Sequence, residues 1–262
     1  MPPPSEDLEL ALSLADIADQ ITVARYRADD LAIETKPDLT PVTEADTAVE
    51  QAVRERLGQV RPGDAILGEE YGASTAASTR RWIIDPIDGT KNYVRGIPVW
   101  ATLLALQDAD EITVGVVSAP ALGRRWWAAR GLGAFVDDGL AGGRRRIHVS
   151  AVQNLGDAQL CFPGLDDWGE SGGLDGLIEL AGRCWRSRGF GDFWPYMLVA
   201  EGAADITCEP VVSLWDLAAC QVIVEEAGGR FTDLAGTRTA DGGDAIATNG
   251  RLHEAALTIV GR

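Results

Sequence analysis

Apolar positions recur with a helical period from the start of the chain. Between Ser5 and about Arg27 they fall at Leu8, Leu12 and Ala15, and again at Leu14, Ile17 and Ile21, behind an acidic first turn of Glu6 and Asp7. That spacing predicts an amphipathic helix. Lys36 to Pro41 reads as a loop. A second helix begins at Thr43, carries Val49, Val53 and Leu57 at i, i+4 and i+8, and stops near Gly58 and Pro62-Gly63. From Trp82 to about Val136 the period shortens to that of strands. Val99 to Leu106, Ile112 to Ser118, Arg124 to Ala129 and Ala134 to Val136 are separated by turn residues, which predicts an antiparallel meander. Beyond a turn-rich stretch at Asp137 to Gly143, strand-like segments alternate with helices at Leu174 to Ala181, Phe193 to Gly202 and Leu214 to Gly228. The pattern divides the chain into halves, 1–140 and 141–262, and predicts layers of helix and sheet rather than a doubly wound parallel sheet.

Composition narrows the function. With 262 residues, 46% hydrophobic and 24% charged, the chain has the make-up of an ordinary globular protein near the upper size of a single core. Its net charge of −17 argues against nucleic acid or an anionic membrane as partner, since either would be repelled. Cys161, Cys184, Cys208 and Cys220 show no metal spacing and read as reduced thiols. The start, Met1-Pro2-Pro3-Pro4-Ser5, has no signal-peptide pattern, and no apolar run approaches a membrane span. The expectation is a cytoplasmic enzyme or binding protein.

Candidate chemistry sits in short acidic segments: Gly68-Glu69-Glu70, Asp85-Pro86-Ile87-Asp88-Gly89-Thr90 and Trp215-Asp216. Asp85 and Asp88 bracket a strand end, with a free carbonyl between them and Gly-Thr directly after. Closely spaced hard oxygen donors suit Mg²⁺, which binds through carboxylates plus substrate phosphate. A phosphate ligand on so acidic a chain would need metal ions for local positive charge. Each acid also has a plainer reading. Asp-Pro and Asp-Gly are ordinary turn pairs. Thr43-Glu44-Ala45-Asp46 and Ser213-Leu214-Trp215-Asp216 fit capping boxes, and Asp192 before Phe193-Trp194-Pro195 fits an N-cap. Gly169-Glu170-Ser171-Gly172-Gly173 matches a hydrolase elbow in letters but has no strand before it. His148 and His253 read as structural, the Trp126-Trp127 pair as core plus strand edge, and Arg144-Arg145-Arg146 as a solvated face.

Together, Lys36…Thr43-Glu44-Ala45-Asp46, Gly68-Glu69-Glu70, Asp85-Pro86-Ile87-Asp88-Gly89-Thr90, Trp215-Asp216-Leu217-Ala218-Ala219 and Glu226-Ala227-Gly228-Gly229 make the chain resemble the inositol-monophosphatase superfamily of Mg²⁺-dependent phosphomonoesterases. The resemblance covers nearly the whole length. It implies an α/β layered αβαβα sandwich, a homodimer, and two or three Mg²⁺ ions per site acting on a small-molecule phosphate monoester. Lys36-Pro37-Asp38-Leu39-Thr40-Pro41-Val42-Thr43, Asp88-Gly89-Thr90-Lys91-Asn92-Tyr93 and Arg188-Gly189-Phe190-Gly191-Asp192 are more similar to the histidinol-phosphate branch than to the inositol or nucleotide branches. Carried over residue by residue, the likeness makes Glu69, Asp85, the Ile87 carbonyl, Asp88 and Asp216 the metal ligands. It makes Glu69, Thr90 and Asp46 the catalytic set. Asp88, Gly89, Thr90, Arg188, Asp192, Glu209 and Asp216 become the substrate-binding residues. On this resemblance Asp46, Asp192 and Asp216 serve the site rather than only capping helices.

Overall fold

The structure, a computed structural model, describes residues 5–37, 39–139 and 143–261. Met1–Pro4, Asp38 and the middle of the turn expected at Asp137 to Gly143 lie outside the described residues. Helix α1 (Glu6–Arg25) begins where the Ser5 hydroxyl accepts from Leu8 N. A ribbon of β1 (Ile33–Thr35) and β2 (Pro41–Thr43) leads into α2 (Glu44–Val60). Next come β3 (Ala65–Gly68), β4 (Gly72–Ala73) and β5 (Arg80–Asp88), the short helix α3 (Thr90–Val94), then β6 (Ala101–Asp108), β7 (Glu111–Ala119), β8 (Arg124–Ala129), β9 (Gly133–Asp137) and β10 (Arg144–Ile147). These strands form one eight-stranded sheet in the order β10-β9-β8-β7-β6-β5-β3-β4. The meander read from the sequence is its run from β5 to β9, and β10 adds a further antiparallel strand that the reading did not include. β3 joins β5 in parallel, and β10 carries the sheet to Ile147, past the residue-140 boundary.

The second half contributes β11 (Gln159–Cys161), α4 (Leu165–Glu170), α5 (Leu174–Arg183), β12 (Arg186–Arg188), α6 (Trp194–Ala200), β13 (Ile206–Glu209), α7 (Leu214–Glu226), β14 (Arg230–Thr232), β15 (Ala245–Thr248) and α8 (His253–Val260). Its sheet is mixed, in the order β12-β11-β13-β15-β14.

Alternation along the strands assigns the layers. Trp82 and Ile84 of β5, with Leu104 and Leu106 of β6, pack on Leu8, Leu14, Val49 and Val53 of α1 and α2. Ile83, Leu103 and Ala105 point the other way, onto α6 and α7, which also cover Phe231, Ala245 and Ala247 of the second sheet. The far face of that sheet, with Leu160, Ile206 and Ile246, is closed by Trp168, Leu177, Leu180 and Ala256. The result is the αβαβα sandwich. The Trp126-Trp127 pair departs from expectation, because both rings are buried on opposite faces of β8: Trp126 against Phe193, Trp127 stacked on Phe135. Ser171 ends α4 and donates to Trp168 O, so no elbow forms there. His253 is buried, with its ring nitrogens 3.0 and 3.2 Å from Thr232 Oγ1 and Thr248 Oγ1.

Candidate active site

A bulge at the end of β5 builds the centre of the site. β5 pairs with β6 in register as far as Asp85 opposite Leu103, then slips so that Asp88 faces Ala101. The slip releases residues 86 and 87 from the ladder. Thr102 Oγ1 holds the Pro86 carbonyl at 2.7 Å. The Ile87 side chain is locked among Ala45, Tyr93 and Trp100, and its carbonyl accepts from Thr90 Oγ1 at 2.9 Å. Gly89 turns the chain into α3 at φ +82°, where a Cβ would lie 3.1 Å from Val99 O and 3.4 Å from the Asp192 carboxylate.

Around this bulge acids converge from both halves of the chain. One carboxylate oxygen each from Asp85, Asp88 and Asp216 lie within 4.8 Å of one another. Asp216 arrives on the first turn of α7, where its other oxygen caps Ser213 N at 2.9 Å. Asp46 does the same on α2. Its Oδ2 accepts from Thr43 N and Oγ1 at 2.8 and 2.6 Å, while Oδ1 accepts from Thr90 Oγ1 at 3.2 Å. Capping and site placement therefore coexist in both acids. Asp88 Oδ2 accepts from Phe193 N at 2.5 Å. Glu69 stands on the β3–β4 turn, where Lys36 Nζ bridges it to Glu70 at 2.7 Å each. Asp192 is not an N-cap: α6 opens one residue later without a side-chain cap, and Asp192 Oδ2 instead accepts from Asn92 Nδ2 at 2.8 Å. Glu209 is buried on β13. Arg188 is exposed on β12, with its guanidinium donating to Ser187 O.

Burial without matching positive charge disturbs these groups. It holds Asp85 well above the usual carboxylate range, reinforced by Glu69, Asp88 and Asp216. Burial does the same to Asp88, with Asp192 and Asp216 adding to it, and to Glu209, with Asp216 and Asp192 adding. Asp216 and Asp46 are each pushed up to about 6, again chiefly by burial. Two buried oxygens, Asp85 Oδ1 and Glu209 Oε1, have no hydrogen-bond partner. Unpaired buried oxygens of this kind are costly unless a cation meets them. A set of hard, orphaned oxygens with surplus negative charge fits a divalent metal of the Mg²⁺ class.

One positioning residue escaped the sequence reading. Glu50, fully buried on α2, accepts from Glu70 N at 2.7 Å and Tyr71 N at 3.2 Å, and pairs with Arg54 at 2.7 Å. It thereby holds the turn that presents Glu69. The available signals were an acid one helical turn after Asp46 and the glycine at 68, just before Glu69.

A layered sandwich with acids gathered at a strand bulge defines the class. The sequence profile of the inositol monophosphatase family matches residues 4–262, and the chain belongs to that family of phosphoric monoester hydrolases. A protein named histidinol-phosphatase from Mycobacterium tuberculosis is 57% identical, over 97% of each chain. Another of that name from Streptomyces coelicolor is 54% identical, over 98% of this chain and 97% of its own. Among solved structures, the extragenic suppressor protein suhB from Bartonella henselae superimposes with a TM-score of 0.88 at 28% identity, covering 98% of both chains.

Proposed function

We propose that the chain hydrolyses L-histidinol phosphate to L-histidinol and inorganic phosphate, with Mg²⁺ as its metal. The observation that carries the substrate is the pair Asp192 and Glu209. These two acids act electrostatically on Asp88 and stand beyond the Asp85, Asp88 and Asp216 cluster. Lys91 acts on Asp192 but burial still raises its carboxyl, and the charges acting most on Glu209 are other acids. An alcohol bearing an ammonium group and a protonatable imidazole supplies further positive charge, whereas a neutral polyol leaves Glu209 buried and uncompensated. The names of the relatives at 57% and 54% identity support the same substrate.

Glu69, Asp85, the Ile87 carbonyl, Asp88 and Asp216 would hold two or three Mg²⁺ ions. When bound, these supply Lewis acidity for the phosphate oxygens, the attacking water and the leaving oxygen. The Gly89 and Thr90 amides hold the phosphate. With the Ile87 carbonyl taken up by the metal it would hold, the Thr90 hydroxyl donates its one hydrogen bond to Asp46 Oδ1, 3.2 Å away, rather than to Ile87 O, which turns a lone pair toward the attacking water. Asp46 keeps that rotamer in place because Thr43 pins its other oxygen. Thr90 accepts a hydrogen bond from that water and Glu69 takes its other proton, which then returns to the leaving oxygen as the P–O bond breaks. Asp192 and Glu209 bind the cationic part of the leaving alcohol. The family resemblance supports a homodimer acting in the cytoplasm. Among the described residues no helix is long and apolar enough to cross a membrane.

Phosphate release with Mg²⁺ is to be measured over histidinol phosphate, inositol 1-phosphate, fructose 1,6-bisphosphate and a 3′-phosphoadenosine nucleotide. Histidinol phosphate should have the highest kcat/KM, and comparable turnover of inositol phosphate would overturn the substrate assignment.

A further inference from the structure

Asn92 lies on α3, two residues beyond Thr90, and uses both hydrogens of its side-chain amide. Nδ2 is 2.8 Å from Val99 O and 2.8 Å from Asp192 Oδ2. With both donors engaged the amide has one orientation, since turning it over would set its oxygen against a carbonyl and a carboxylate. Asp192 needs such a hold. Its φ of +58° is uncommon for a residue with a Cβ. Among the described residues, the bond from Asn92 is the one hydrogen bond its carboxylate makes. Next to it, Phe193 N is tied to Asp88, and the missing Cβ of Gly89 leaves the space into which the Asp192 carboxylate packs. Residues 192 and 193, from the second half of the chain, are thus fastened to the 88–92 turn by two hydrogen bonds.

We propose that Asn92 is a positioning residue for substrate selection: it fixes Asp192 through Oδ2 and leaves Oδ1 to receive an ammonium group on the alcohol part of the phosphate monoester. This rests on the histidinol-phosphate reading. The bond is charge-assisted, so losing it frees a carboxylate already held in an unfavourable backbone conformation. The Val99 bond is lost with it, but Val99 takes no part in the proposed selection.

The test is the ratio of kcat/KM for histidinol phosphate to that for inositol 1-phosphate, with thermal unfolding measured alongside. Asn92→Ala should lower the ratio about tenfold, mainly through KM for the amine ester. In an Asp192→Asn background the same substitution should change the ratio no further, because Asn92 acts through Asp192. Asn92→Ser, which keeps one donor, should fall between. A wild type with no preference for histidinol phosphate overturns both the substrate assignment and this inference. A preference lost in Asp192→Asn but kept in Asn92→Ala overturns this inference alone. So does an equal loss on both substrates, which is the mark of a merely structural residue.

Discussion

Gly68→Ala tests how tightly the turn that carries Glu69 is built. A Cβ at residue 68 would sit 2.0 Å from Glu50 Oε1, 2.2 Å from its Cδ and 2.6 Å from Oε2. No van der Waals contact is that short, so the Glu50 carboxylate or the end of β3 must move. The carboxylate is anchored by Arg54, Glu70 N and Tyr71 N, with no exposed surface to relax into. Moving it forfeits two or three hydrogen bonds to a charged group, each worth roughly 1.5–3 kcal/mol. Shifting the strand instead costs about 1–3 kcal/mol as overpacking. The cheaper route sets the outcome, and alanine returns about 0.5–1 kcal/mol of backbone entropy. With overpacking at about 2 kcal/mol, the middle of its range, the net loss should be about 1–1.5 kcal/mol, or roughly 2–6 °C in Tm for a chain of this size. Glu69 is displaced with the turn, so the Mg²⁺ concentration for half-maximal phosphate release should rise as well. Thermal unfolding of Gly68→Ala, alone and with Glu50→Ala, measures the coupling. A loss under about 0.5 kcal/mol, or one equally large when Glu50 is absent, would refute the reasoning.

Asp88→Asn or Asp216→Asn should cut phosphate release by about 1000-fold on every phosphomonoester tried, and calorimetric Mg²⁺ titration should show fewer or weaker sites. Metal stabilisation should depend on pH. Burial raises Asp46 and Asp216 from 3.8 to about 6, so the metal-free fold binds more protons than the unfolded chain between those values and loses stability as pH rises through them. The Tm gain from Mg²⁺ should therefore be larger at pH 8 than at pH 5, and a gain independent of pH contradicts the charge argument. His253 has the opposite sign. Burial lowers it from 6.5 to about 4, so stability should fall as pH drops from about 6.5 toward 4, by up to about 3 kcal/mol. His253→Gln should flatten that slope in denaturant titrations.

Helices α1 and α2 and the β5-to-β9 meander were legible because each runs long enough for its period to repeat. The second sheet was not. Three of its strands, β11, β12 and β14, are three residues long, too short for alternation to register, and their spatial order does not follow the chain. The parallel pairing of β3 with β5 is likewise a matter of topology rather than local pattern. The acidic motifs were visible as strings, yet local reasoning alone favoured capping for Asp46 and Asp216. The structure shows why that was half the answer, since a carboxylate has two oxygens and each acid uses one for its helix. For Asp192 the local pattern misled. Its partner Asn92 is 100 residues away, and Pro195 does mark the start of α6, but the cap position there is Phe193 rather than Asp192.

Two buried acids one helical turn apart on α2 show what separates scaffold from site. Glu50 has a counter-charge in Arg54 and internal donors on both oxygens, so it is satisfied by the fold itself. Asp46 is also fully engaged, but one of its donors is Thr90, which makes it the link between α2 and the bulge. Asp85 and Glu209 differ from both: each keeps a buried oxygen that nothing in the described residues meets. Burial alone therefore does not mark a functional acid in this fold. Within the site the added property is an oxygen for which the described residues supply no donor. Asp19 Oδ1 shares it elsewhere, but Asp19 is paired with Arg125 through its other oxygen, whereas the charges acting most on Asp85 and Glu209 are other acids. On the proposed reading a metal would meet the unpaired oxygen of Asp85, and a cationic substrate that of Glu209. Selectivity for an amine-bearing ester follows from the same deficit of positive charge that makes the metal necessary.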